Sequence, residues 1–405
     1  MAGTGISATG SGGKSVLTGG GLTLAGGLSS TNLKIDNALL TVGETVNLKL
    51  RGEVHKPFVL QREGTIIYSV QQTSISSIID PFVNSLPKFL QEATVDGSVA
   101  TAGTLTLRDG SQILEGTVQF AHALIDVQSQ KFRADAINGS LPFSLDLTGK
   151  KVFKASDEGR FSRGNYPRLL EQMGADSDKG QLLRIGGVSF GTLSLGEVKL
   201  RTSASDGVTK LVSLRSSLYE GAVLGSGFVL FKNGINYRTD LLINGLSLKQ
   251  FCATIPKIKD YISGRLDGVI SLKSEGVGIK NITGFTELWV REGSGEKMLV
   301  SKAFLQKLSG KQLSGFFFRS DRSFDQAEIA AALQDGFLTF NTLDISNTNL
   351  FGVQDLSVTV ASSQNRIALD HLFEAIKQAA IRGKAAVGEA APEQPPKEPE
   401  FKWQE

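Results

Sequence analysis

The sequence predicts a mainly β protein: an elongated, twisted antiparallel sheet or groove carrying a few short amphipathic helices. Three observations predict it. Apolar residues recur with a period of two in many short runs, hairpin-turn dipeptides stand between those runs, and glycine fills 46 of 405 positions, well above its ~7% share in ordinary globular chains.

The alternating runs come first, because each gives a strand one greasy face. Val46, Leu48 and Leu50 alternate with Asn47 and Lys49; Leu141, Phe143, Leu145 and Leu147 alternate with Pro142, Ser144 and Asp146; Leu356, Val358 and Val360 alternate with Ser357 and Thr359. A one-residue slip would reverse both faces of such a strand, so Phe143 is expected to resist a charge while Ser144 tolerates one. Asp-Gly at 96, 109, 206, 267 and 335 and Asn-Gly at 138, 233 and 244 favour positive φ and tight hairpins, which implies a long antiparallel meander. Roughly twenty strand candidates exceed the eight to ten of a small closed barrel, so an extended arrangement fits better.

Helical periodicity interrupts the strands in a few places. Ile75, Ile78, Ile79, Phe82, Val83, Leu86, Phe89 and Leu90 draw one apolar stripe broken by Pro81 and Pro87, predicting a helix over 75–90. Leu248, Phe251, Cys252, Ile255, Ile258 and Ile262 draw another, with Pro256 inside it. The two resemble an internal repeat, since Leu86-Pro87-Lys88-Phe89 matches Ile255-Pro256-Lys257-Ile258 and each leads to an Asp-Gly strand. These stripes are expected to lie over the greasy sheet face as lids, through Phe82, Leu86, Phe251 and Ile255. Shorter helices are expected at 166–173 and 302–308, and an amphipathic one over 366–381. In domain terms, 1–30 reads as a Gly-rich N-terminal segment and 31–383 as the β region, with repeats of about 31–180 and 181–383. Residues 384–405 read as a disordered Pro/Glu-rich tail.

Charge and composition narrow the function. Lys+Arg 43 against Asp+Glu 40 leaves +3 without a like-charge block, so no nucleic-acid partner is expected. One cysteine, Cys252, and three scattered histidines, His55, His122 and His371, assemble neither a disulfide nor a zinc cluster, and no cofactor or metal is expected. No apolar run reaches the ~18 residues of a membrane helix, and Met1 to Gly13 lacks the order of a signal peptide. As written, the chain reads as soluble; a second reading, from the Gly-rich stretch directly after Met1, is that an N-terminal part is missing.

Two motifs suggest chemistry and both fail on context. Ala8 to Ser15 approaches the spacing of a phosphate-binding loop, yet strand-like, Gly-rich sequence follows where a helix should open. Gly187-Val188-Ser189-Phe190-Gly191 matches a nucleophile elbow, but the sequence beyond it again reads as strand. Phe316-Phe317-Phe318 reads as a strand buried on both faces. A turn Asp usually bonds its own backbone, so no carboxylate pair for acid–base work can be placed.

Leu218-Tyr-Glu-Gly-Ala-Val-Leu-Gly-Ser-Gly-Phe-Val-Leu-Phe, then Tyr237-Arg-Thr-Asp-Leu-Leu-Ile-Asn-Gly-Leu-Ser-Leu-Lys-Gln-Phe, then a helix and Ile262-Ser-Gly-Arg-Leu-Asp-Gly-Val-Ile-Ser-Leu resemble the C-terminal region of the AsmA-like (AsmA/TamB) family. The likeness covers about 218–282 well and the remainder in style. It implies a long β-groove in the bacterial cell envelope, at the periplasm, membrane-anchored in a full-length form. It also implies handling of phospholipid or another acyl lipid, without catalysis, for intermembrane transport or outer-membrane biogenesis, with envelope membrane proteins as partners. On that reading Leu141, Phe143, Leu145, Leu356, Val358 and Val360 line the groove. The same alternation also suits a structural or adhesive β-protein with a dry core, and Ser189 alone would suggest a serine hydrolase; the resemblance favours lipid.

Overall fold

The computed structural model describes residues 2–4, 8–9, 15–17, 20–42, 46–80, 83, 91–149, 161–175, 178–191, 193–231, 235–255, 258–276, 278–291, 293, 295–309, 320–349, 351–359 and 365–371. Of these, 67% lie in strands and 14% in helices. The strands are β1 Ala2–Thr4, β2 Ala8–Thr9, β3 Ser15–Leu17, β4 Gly20–Leu28, β5 Asn32–Val42, β6 Val46–His55, β7 Glu63–Ser74, β8 Thr94–Arg108, β9 Ser111–Val127 and β10 Phe132–Asp146. They continue as β11 Gln181–Ile185, β12 Gly187–Phe190, β13 Leu193–Leu195, β14 Val198–Ser205, β15 Val208–Leu218, β16 Gly221–Phe231, β17 Ile235–Ser247, β18 Ile262–Ser263 and β19 Arg265–Glu275. The last are β20 Ile282–Arg291, β21 Leu299–Val300, β22 Arg322–Ser323, β23 Gln326–Gln334, β24 Phe337–Thr348, β25 Gln354–Thr359 and β26 Arg366–Ala368.

Twenty-one of them form one antiparallel sheet, in which nearly every strand pairs with its neighbours in sequence. The middle carries one irregularity. β10 faces two short strands in succession, β11 around Asn138–Gly139 and β12 along Phe132–Asp135. Walking from β4 to β25 takes about sixteen inter-strand steps, on the order of 75 Å at ~4.8 Å each. The architecture is therefore the elongated sheet that the alternation and turn signals predict.

Because the ladder is a meander, its connections alternate between two rims. One rim is built largely of tight turns, with φ of 51°, 55° and 54° at Asp109, Asp206 and Asp335, as a two-residue hairpin requires. The other carries helical connections: α1 Ile75–Ile79 between β7 and β8, α3 Leu248–Ala253 after β17, and α4 Lys302–Ser309 between β20 and β23. A further helix, α2 Tyr166–Gly174, packs on the sheet itself. There Leu169 meets Leu224, Leu242 and Val269, the last two fully buried.

Four of the eight turn dipeptides are not hairpins. Asp96-Gly97, Asn138-Gly139, Asn244-Gly245 and Asp267-Gly268 lie inside strands, and the first three coincide with register shifts in β8–β9, β9–β10 and β17–β19. A β-bulge needs the same left-handed tolerance as a turn, so the dipeptide marks both. Asn233-Gly234 lies outside the described residues.

The helix expectations need similar correction. The stripe from 248 is helical only to Ala253, where the Thr254 hydroxyl donates to the Phe251 carbonyl at 2.7 Å, and Ile262 belongs to a strand paired with Val300. Proline lacks the amide that a longer helix would need near 256. Residues 366–368 form a strand against Phe337–Thr339 rather than the start of a helix. Ser189 stands in mid-strand between Arg133 and Ser194, followed by a turn at Gly191, so the elbow geometry is not formed. Phe82, Leu86, Val360, Phe316 to Phe318 and the segment 372–405 lie outside the described residues.

Candidate functional site: an uncharged face across the sheet

Register partners on neighbouring strands share a face, so the register traces which side chains lie together. One row runs Thr73, Val99, Phe120, Gly139, Leu183, Leu200, Leu214, Gly225, Leu241, Ile270, Thr286, Ala331 and Phe340. It crosses the sheet from β7 to β24 without a charged residue. Parallel rows in the N-terminal half repeat the pattern: Ile66, Leu105, Leu114 and Leu145; then Leu50, Tyr68, Gly103, Gly116 and Phe143; then Leu48, Val70, Thr101, Val118 and Leu141. The opposite face is different. Its central row reads Asn138, Arg184, Lys199, Arg215, Leu224, Leu242, Val269 and Glu287, and α2 covers the apolar stretch of it.

On the uncharged face the large side chains are only half-buried along Ile66, Leu105, Leu114, Leu145, Leu214, Leu241 and Ile270. The described helices that pack on this face stand at the helical rim. Ile75, Ile78 and Ile79 of α1 pack with Val99 and Leu183, while Leu305 of α4, with Leu248 at the start of α3, packs with Val290, Ile345 and Leu356. Toward the turn rim Leu107, Thr202, Ser274 and Leu333 of the same face are buried, so the half-buried stretch lies between the two rims.

Glycine shapes this surface from within the strands. A Cβ at Gly116 would stand 2.2 Å from the Tyr68 hydroxyl and 3.0 Å from the Phe143 ring, and one at Gly103 2.5 Å from the same hydroxyl. The two rings therefore use the space over bare backbone. Leucines do the same elsewhere: Cδ2 of Leu241, Leu288 and Leu272 would meet a Cβ at Gly225, Gly268 and Gly284 at 2.8, 2.4 and 2.8 Å. Side chains that fold down over glycine leave a low floor along the sheet. Burial there also pushes the Tyr68 phenol up from its ordinary value.

Against this geometry the sequence-derived residues divide. Leu141, Phe143 and Leu145 share the uncharged face and are half-buried. Leu356 and Val358 share it too, but Leu356 is 5% exposed among Val290, Leu305 and Phe324, so that end is a closed core. Phe251 and Ile255 are half-buried at the helical rim, Phe251 edge-on to Tyr219 at 5.7 Å. Ser144 corrects the expectation of a water-facing position: it is 0% exposed. Its hydroxyl donates to Glu115 Oε1 at 2.9 Å and accepts from the Gly207 amide at 2.6 Å, because the β14–β15 turn folds over that side. Sequence reasoning missed Tyr68 and the floor glycines. Mid-strand glycine at an apolar register position was the signal for them.

Compared with known proteins, the chain matches no family model, no curated protein and no solved structure.

Proposed function

We propose that the uncharged face is a groove that holds the acyl chains of phospholipid, in a non-enzymatic protein of the bacterial cell envelope that serves intermembrane lipid transport or outer-membrane biogenesis. The observation that supports this most is the row from Thr73 to Phe340, which offers hydrocarbon to hydrocarbon from β7 to β24 while Leu200, Leu214, Leu241 and Ile270 in its middle stay half-buried. A packed sheet would place a second layer there. Each methylene sheltered from water contributes ~0.8 kcal/mol, so a two-chain lipid needs no specific polar contact to stay bound. The ladder's length, on the order of 75 Å, exceeds the ~40–45 Å of a bilayer with its headgroups, which suits a track rather than a pocket for one molecule. The AsmA-like resemblance of about 218–282 points the same way.

Mass spectrometry of organic extracts from purified protein tests the reading. Co-purifying phospholipid, depleted when Leu105 and Leu114 are both changed to Ser, is the expected result. A lipid-free extract from protein prepared without detergent would refute it.

A further inference from the structure

Between β6 and β7 the turn rim carries a loop of unusual composition, Lys56-Pro57-Phe58-Val59-Leu60-Gln61-Arg62. Phe58, Val59 and Leu60 are 71%, 49% and 94% exposed, although three consecutive apolar residues at a hairpin tip are costly in water. The loop is held in shape rather than collapsed onto the sheet. The Lys56 amide donates to the Thr31 carbonyl at 2.8 Å and the Val59 amide to the Lys56 carbonyl at 3.2 Å, with Lys56 at a φ of 50°. Through the Thr31 bond it abuts the β4–β5 turn, where Leu28 is 65% exposed.

Charge surrounds this tip asymmetrically. Lys56 and Arg62 flank the apolar triplet on both sides, Lys56 exposed and Arg62 half-buried, its Nε buried without a hydrogen-bond partner. The nearest carboxylates in the strands that bear the loop, Glu53 and Glu63, sit below it, and Glu53 is engaged by Asn32. An apolar tip between two cations matches the layering of an anionic bilayer, acyl chains beneath and phosphates around them. The strands that carry the loop also carry the groove. Val54 and Gly64, its first register pair on that face, continue into Gly52 and Ile66.

We propose that the 56–62 loop, with Leu28 beside it, is a docking tip that inserts into the surface of an anionic phospholipid bilayer. The proposal rests on the lipid-groove reading only for its consequence, that lipid passes between bilayer and groove at this corner without crossing water. Insertion itself requires only the tip.

The test is flotation of the full chain with vesicles of phosphatidylcholine alone or mixed with phosphatidylglycerol, alongside the lipid extract of the same preparation. Wild-type protein should float with the mixed vesicles. Phe58→Ser/Leu60→Ser should weaken binding at least about tenfold, as loss of two buried side chains implies, and Lys56→Gln/Arg62→Gln should abolish the preference for phosphatidylglycerol. Lys56, Phe58 and Leu60 are exposed and Arg62 is half-buried, and unchanged urea midpoints would confirm that the variants fold. Wild-type protein that stays with the soluble fraction overturns the proposal, as does unchanged binding by the serine variant. A serine variant that instead dissociates a wild-type oligomer overturns it in favour of a second copy on the tip. If vesicles bind and the extract is lipid-free, the groove reading fails while docking stands; lipid in the extract without vesicle binding gives the reverse.

Discussion

Leu114→Asp separates an open groove floor from a dry core. Leu114 lies between Leu105 and Leu145 on the uncharged face and is half-buried, so in lipid-free protein its carboxylate would meet water on one side. The stability cost should then be about 1–2 kcal/mol, the partial loss of one leucine's burial. Leu242→Ala is the control: Leu242 is 0% exposed beneath α2, where a cavity costs about 2–5 kcal/mol. Lipid retention should reverse the order. An acyl chain laid on the floor would desolvate the new carboxylate at a cost of several kcal/mol, equivalent to about a hundredfold or more in affinity. Desolvation would also raise the pKa of the introduced carboxyl, so retention should recover as pH falls and the group becomes neutral. Urea titrations of both variants, each followed by a probe beside the substituted strand, with bound phosphorus measured across pH, provide the assay. If Leu114→Asp destabilises as much as Leu242→Ala, the face is packed and the groove argument collapses; retention equal to wild type refutes it as well.

Other expectations follow from the polar face and the helical rim. Ser144→Ala should lower stability by about 1–3 kcal/mol, since it removes the bond to Glu115 and strands the Gly207 amide, and Ser144→Asp should lower it further; thermal melts check both. The Tyr166 phenol is pushed up from its ordinary 10.0 by burial and then by Asp267, so the folded protein holds that proton more tightly than the unfolded chain does. Its stabilisation is full below pH 10 and falls as pH rises beyond it. Tyr166→Phe should therefore flatten the alkaline limb of a stability-versus-pH curve while costing about 0.5–1.5 kcal/mol at neutral pH through the lost bond to the Ile243 carbonyl. Cys252, 2% exposed and with its thiol pushed up by burial, should react slowly with a water-soluble thiol reagent. Lys249→Cys in a Cys252→Ser background should react fast; equal rates would mean that α3 is not docked.

Much of the sheet was legible because its signals are local. Alternation at 46–50 and 141–145 placed the apolar residues of each run on one shared side of the strand, and Asp109, Asp206 and Asp335 turned where Asp-Gly predicts. What stayed hidden depends on partners far along the chain. Ser144 reads as a water-facing serine until the turn at 206–207, some sixty residues away, is folded over it. Leu356 and Leu141 have the same pattern, yet α4 closes over one and leaves the other open. Glycine was the most informative residue read too narrowly: its abundance suggested turns, whereas Gly103, Gly116, Gly225, Gly268 and Gly284 form the floor on which neighbouring side chains lie.

The neighbour-to-neighbour order of the ladder also has a consequence for how the molecule is made and lost. Few pairings skip along the chain, β26 returning to β24 being one, so the structure behaves as a nearly one-dimensional array. Each new hairpin can be templated by the strand just completed, and a chain delivered gradually, as through a translocation pore, can add strands in the order in which they emerge. Loss should be equally piecemeal, with fraying from a free edge before the centre. Denaturation followed at separate sites should then give displaced transitions instead of one shared midpoint. Inserting or deleting a hairpin would change the length of the ladder by about 10 Å without altering its cross-section, so such an architecture can be adjusted in length simply by the number of its rungs.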